Sequence, residues 1–214
     1  SQLASEEQRQ AALAQESAAV EQRIQARIAA EKKAAAERAA AAKAAAEKAA
    51  REAAARTQAA SSTTKTSAPA AAAPAQASAS SSTSFMYPVP ARITSQYGMR
   101  LHPVLGYWKL HDGTDFGAAC GTPIRAAASG TVSERYYNSG YGNRLMIDHG
   151  RVDGDYVTTG YNHASRYIVG VGQRVSRGQV IGYVGNTGYS TGCHLHLMVW
   201  ENGSVVNPMA RWFG

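Results

Sequence analysis

Residues 85–214 of this 214-residue chain predict an all-β domain, preceded by a long helical arm and a flexible tether. Three observations lead there. From Phe85 onward the sequence breaks into short runs of period two, separated by Gly and Asn turns, with no strongly amphipathic stretch of helical length. Residues 3–56 contain neither Gly nor Pro and are dominated by Ala, Glu, Gln, Lys and Arg. Residues 57–84 are Ser, Thr, Ala and Pro with a single charge, Lys65.

The arm comes first. Its residues are strong helix formers, and Glu47–Arg51 and Glu52–Arg56 are i,i+4 pairs in the favourable order. Large apolar side chains are sparse. Leu13, Val20, Ile24 and Ile28 lie at spacings of seven, four and four, and after Ile28 only Ala remains. This short stripe is enough to seed a coiled-coil-like contact, but sustained heptads are missing. Segment 57–84 cannot build a core and reads as a flexible, disordered linker.

Only residues 85–214 have the mixed apolar content a core needs, and about 130 residues is a common size for one domain. TPIRAAASGTVSERYY, RLMIDHG, YVTTGYNH, QVIGYVG and HLHLMVW read as its strands, in a mainly antiparallel sheet with long loops. The net charge of +7 is dispersed along the chain. There is no Lys/Arg stripe with interleaved aromatics, which excludes nucleic acid as a natural partner. No run of about 18 apolar residues offers a membrane span.

All six histidines fall in the β domain. In HLHL, strand alternation points His194 and His196 to one face and Leu195 and Leu197 to the other. HDGTD places His111 and Asp115 four residues apart, with Gly113 permitting a sharp turn. His111, Asp115 and one histidine of HLH would make a three-ligand N/O set with an open position, the pattern of a catalytic zinc site. His163, after a strand in YNHAS, is a candidate for catalysis or for support of the ligands. His149 in IDHG suits structural hydrogen bonding. His102 and Tyr107, in the loop around Pro103, are candidates to line a groove.

The two cysteines are Cys120 and Cys193. Alternation turns Cys193 away from His194 and His196, which argues against its being a ligand. In an exported protein the pair would form a disulfide, tying together the two segments that carry the ligand candidates.

SQYGMRLHPVLGYWKLHDGTDF, CGTPIRAAASGTV, GYGNRLMIDHG, YNHAS, GQVIGYVGNTGYSTGCHLHL and NGSVVNP together resemble the lysostaphin/LytM-type zinc metallopeptidases of bacterial peptidoglycan, across nearly all of residues 85–214. The resemblance implies a small antiparallel β-fold whose loops form a groove with one zinc. His111, Asp115 and His196 would be its ligands, and His163 and His194 the catalytic residues. The implied function is hydrolysis of peptide bonds in stem peptides or cross-bridges, with peptidoglycan as the partner and an exported location. Asn162 and Ala164 depart from the usual YAHLS, Leu197 and Met198 from the usual HFE, and Cys193 from a frequent Pro. None of these removes a ligand. Non-catalytic members of the fold bind peptidoglycan or activate an amidase and typically lose ligands, so retention of all five residues favours activity. The arm is expected either to dock on the catalytic groove or to recruit an envelope or division protein.

Overall fold

The computed structural model describes residues 2–60, 85–101 and 108–213. The tether from residue 61 to 84 and the groove candidates His102 and Tyr107 lie outside the described residues.

Helix α1 spans Gln2–Ala60. The strands follow as β1 (Ile93–Ser95), β2 (Gly98–Leu101), β3 (Trp108–His111), β4 (Thr114–Phe116), β5 (Pro123–Arg125), β6 (Gly130–Asn138), β7 (Gly142–Val152), β8 (Asp155–Ala164), β9 (Arg166–Tyr167), β10 (Arg174–Val175), β11 (Val180–Tyr183), β12 (Leu195–Glu201) and β13 (Ser204–Val206). A short helix α2 (Pro208–Arg211) closes the chain, its N-terminus capped by the Asn207 side chain. The main sheet runs β1-β4-β12-β8-β7-β6-β10, with β13 also paired to β12. A second sheet has the order β5-β11-β9, and β2 pairs with β3 as a hairpin. Every pairing is antiparallel, and the β-rich fold is the one the period-two runs predict.

Two apolar layers sandwich the main sheet. Leu195, Leu197 and Val199 of β12 join Phe116, Leu145, Ile147 and Tyr161 in the larger core. The alternate residues Met198 and Trp200 belong to a second cluster with Met146, Tyr141 and the helix residues Val20, Ile24 and Ile28. Strand alternation explains this split. A sheet buried on both faces needs a cover on each, and α1 supplies one of them.

Contacts divide the chain into two compact units, Ser1–Ile28 with Thr83–Gly214, and Ala29–Ser82. In the first unit Val20, Ile24 and Ile28 are 0%, 1% and 6% exposed. Each such burial is worth about 1.5–3 kcal/mol. Arg23 makes a two-pronged contact to Glu134 at 3.1 and 3.0 Å. Arg27 reaches Asp148 at 2.8 Å and the Thr158 hydroxyl at 3.0 Å. The Tyr136 hydroxyl donates to Glu16 at 2.6 Å. These pairs sit near the surface and set register more than they add stability. The short stripe read as a coiled-coil seed therefore packs on the protein's own sheet. In the second unit the described part of α1 carries no large apolar side chain. It shows i,i+4 pairs Lys33–Glu37 and Lys48–Glu52 at 4.0 and 3.9 Å.

Cys120 and Cys193 are joined by a disulfide that closes a sequence separation of 73 residues. His149 behaves as its motif suggests. Its Nδ1 lies 2.9 Å from the Ser129 carbonyl and its Nε2 2.8 Å from the Thr159 hydroxyl, with the Phe85 ring edge-on at 5.0 Å. A carbonyl only accepts, so Nδ1 carries the proton and a neutral imidazole fits. Burial is the main cause that lowers His149 to about 4 from an ordinary 6.5, against smaller raising effects from the Ser129 carbonyl and Asp148.

The depressed value fixes the sign of the pH dependence. Between these two values the unfolded chain binds the proton and the folded chain does not. Stability from this group is full above about 6.5 and falls as pH drops toward 4, by up to about 1.4 kcal/mol per unit. Urea midpoints measured at pH 7 and pH 5 should diverge more for the wild type than for His149→Gln. Equal divergence in the two proteins would refute this.

Candidate metal centre

The β2–β3 hairpin and strands β4 and β12 of the main sheet build the site. His111 ends β3 and Asp115 sits in β4. Register places His196 of β12 directly beside Asp115 on one side and Asn162 of β8 on the other. Asn162 Nδ2 donates to the His196 carbonyl at 3.0 Å, which holds the strands in that register. Gly113 makes the junction possible. A Cβ there would lie 2.7 Å from His196 Cε1 and 2.4 Å from the Leu197 carbonyl oxygen. The glycine of HDGTD thus serves close approach to the His196 ring, beyond the sharp turn its sequence context suggests.

The donor atoms of His111, Asp115 and His196 all lie within 4.8 Å of one another. His111 Nε2 is 3.2 Å from Asp115 Oδ2 and His196 Nδ1 is 2.7 Å from Asp115 Oδ1. The far nitrogens are occupied. His111 Nδ1 donates to the Gln96 carbonyl at 2.7 Å. His196 Nε2 lies 3.1 Å from Asp112 Oδ1, and the other Asp112 oxygen accepts from the Tyr141 hydroxyl. Two imidazole nitrogens, each on a ring held by an outer partner, and a carboxylate fit a zinc ion.

The electrostatics are those of a cation site. Burial would raise Asp115, but hydrogen bonds and charge from His111 and His196 hold it far below the usual carboxylate range. Asp112 likewise resists burial and comes down to about 2 through His196, Tyr141 and Arg144. Burial would lower His196, yet its two carboxylate neighbours raise it to about 9.

The other two candidate histidines lie alongside. The His163 and His194 ring centroids are 4.7 Å apart, and His163 is 5.8 Å from His196. His163 Nδ1 donates to the Thr187 carbonyl at 2.8 Å and His194 Nδ1 to the Gly192 carbonyl at 2.8 Å. Both rings therefore carry a proton on Nδ1 and leave Nε2 clear of those carbonyls, and His194 Nε2 is 3.8 Å from Asp115 Oδ1. Burial first, then the charge of His196, lowers His163 to about 4. His163 also has φ of 61°, a left-handed backbone uncommon for a residue with a Cβ, and functional sites often hold such strain.

All five residues singled out in the motifs meet at one place, while His149 stands apart in its own network. Sequence reasoning missed Asp112, Tyr141, Gln96 and Thr187. Asp112 and Tyr141 sit inside quoted motifs, but nothing in their spacing signals a contact with His196. The carbonyls of Gln96 and Thr187 are invisible to any side-chain pattern.

The antiparallel β domain thus brings together a His, Asp, His set able to hold a metal ion, with two further histidines beside it. Peptidase family M23 matches residues 109–208, so the β domain carries a peptidase M23 domain. The chain is 45% identical over 122 residues to a DD-carboxypeptidase/endopeptidase Mpg of Neisseria meningitidis, covering 57% of this chain and 27% of the relative. It is 45% identical over 118 residues to the peptidoglycan DD-endopeptidase ShyC of Vibrio cholerae, covering 55% and 26%. The crystal structure of a zinc-containing peptidase from Vibrio cholerae superposes with a TM-score of 0.56 at 35% identity, covering 61% of this chain and 41% of that one. The match spans about a quarter of the length of these curated relatives.

Proposed function

We propose that residues 85–214 form a zinc-dependent endopeptidase that hydrolyses peptide bonds in the stem peptides or cross-bridges of peptidoglycan. The observation that carries this reading is the convergence of His111, Asp115 and His196 within 4.8 Å beside His163 and His194. His111 through Nε2, Asp115 through its carboxylate and His196 through Nδ1 would hold the metal. Zinc, when bound, supplies Lewis acidity toward the scissile carbonyl and the attacking water. The Nε2 atoms of His163 and His194 do the proton work. One Nε2 accepts the proton from water and passes it on to the leaving amine, and the other, with its ring protonated, donates a hydrogen bond to the developing oxyanion. The carbonyls of Thr187 and Gly192 keep both tautomers correct. The relatives named as peptidoglycan endopeptidases support the substrate class. The disulfide supports action outside the cytoplasm, in the cell wall or a periplasm-like space.

The arm enters this reading through its position. Met198 and Trp200 share a face of β12 with His196, and the segment of α1 from Leu13 to Ile28 packs on that face. This supports docking on the catalytic groove over recruitment of a division or envelope partner through the same stripe.

Digestion of purified peptidoglycan of several chemotypes, followed by mass analysis, tests the proposal. Peptide fragments should appear with zinc, disappear with a chelator and return on zinc addition. Binding to the polymer without fragments under any condition would replace the enzyme with a binding or amidase-activating member of the fold.

A further inference from the structure

The two histidines of the proposed metal set are not held alike. His111 gives its outer N–H to a neutral acceptor, the Gln96 carbonyl. His196 has a carboxylate there, with Asp112 Oδ1 at 3.1 Å from Nε2. Asp112 is itself fixed. Its second oxygen accepts from the Tyr141 hydroxyl, and the Tyr141 ring stacks on His196 at 5.9 Å with an interplanar angle of 23°.

Tyr141 has little freedom. Its backbone N–H donates to Asn138 Oδ1 at 2.6 Å, and its carbonyl accepts from the His163 N–H at 2.8 Å. The Arg144 guanidinium lies 4.3 Å from its ring centre on the side toward Trp200. Ser17 of α1 hydrogen-bonds the Tyr141 hydroxyl. A continuous chain of contacts therefore runs from α1 through Tyr141 and Asp112 to a proposed metal ligand.

We propose that Asp112 is the positioning residue of the metal centre and that Tyr141 braces it. Asp112 selects the His196 tautomer with the proton on Nε2, leaves Nδ1 free for metal, and makes that nitrogen a stronger electron donor than a neutral acceptor would. This rests on the zinc reading above. Removing an outer partner of this kind typically weakens metal binding about 10–100-fold.

The test is zinc affinity of the full chain by chelator competition, together with the visible spectrum of the cobalt(II)-substituted protein. Asp112→Ala should lose affinity about 10–100-fold and shift the cobalt bands. Asp112→Asn, which keeps an acceptor oxygen but no charge, should fall between it and the wild type. Tyr141→Phe deletes only the bracing hydroxyl and should weaken zinc several-fold with unchanged circular dichroism, which keeps the proposal testable if Asp112→Ala fails to fold. Zinc affinity within twofold of wild type and an unshifted cobalt spectrum in the Asp112 variants would overturn it. Wild-type protein that binds no zinc would instead sink the metal reading itself, so the two failures are distinguishable.

Discussion

Replacing His111 or His194 with Ala should eliminate nearly all of the proposed peptide release, for different reasons in the two variants. His111→Ala removes one of the three proposed ligands, whose donors lie within 4.8 Å of one another, so zinc content and activity should fall together. His194→Ala leaves those donors in place. It should retain stoichiometric zinc while losing about 10²–10⁴-fold in rate, the usual worth of a positioned proton-transfer group. His163→Ala should resemble His194→Ala, and the double variant should lose much less than the product of the two, because the pair acts as a unit. Release of fragments on peptidoglycan, paired with zinc content by mass spectrometry, separates the cases. Full activity in His194→Ala would remove it from the mechanism.

The second large effect concerns Ile24. It is 1% exposed and packs in the layer that contains Met146, Met198 and Trp200. Ile24→Ala should cost about 2–4 kcal/mol through lost burial and the cavity left behind. Ile24→Asp is more drastic, since an unpaired carboxylate in that layer is worse than a cavity. Residues 1–28 should then detach and expose Met198 and Trp200, read as new binding of a hydrophobic dye and early proteolysis within α1. At a temperature where the β domain remains folded, this variant should release peptide faster than wild type, because the segment lies on the sheet face that carries His196. An unchanged rate with the helix detached would make α1 a structural cover only.

The same residues show how far a one-dimensional reading reaches. The shared face of His194 and His196 in HLHL was legible because strand period is a local rule, and HDGTD was legible as a nearby imidazole and carboxylate from its residue types. Register then put His196 opposite Asp115, which no local rule supplies. The stripe Val20, Ile24, Ile28 was legible as a surface seeking a partner. That the partner is the protein's own sheet depends on Met146, Met198 and Trp200, brought together from β7 and β12. Met198 was visible only as a departure from a more familiar HFE. The structure supplies its physical sense, since an apolar side chain there belongs under a helix and not in water.

Sequence alone determined the all-β class, the helical arm, the five histidine and aspartate candidates and the two cysteines. Each of these follows from periodicity, composition or residue chemistry, and all three act over a few residues. Only the tertiary structure decided that α1 covers the sheet face that carries His196, and that Asp112 and Tyr141 stand behind His196. Those are contacts between segments up to 184 residues apart in the chain. They are set by strand order and by which apolar surfaces remain to be buried, quantities that exist only once the sheet has formed.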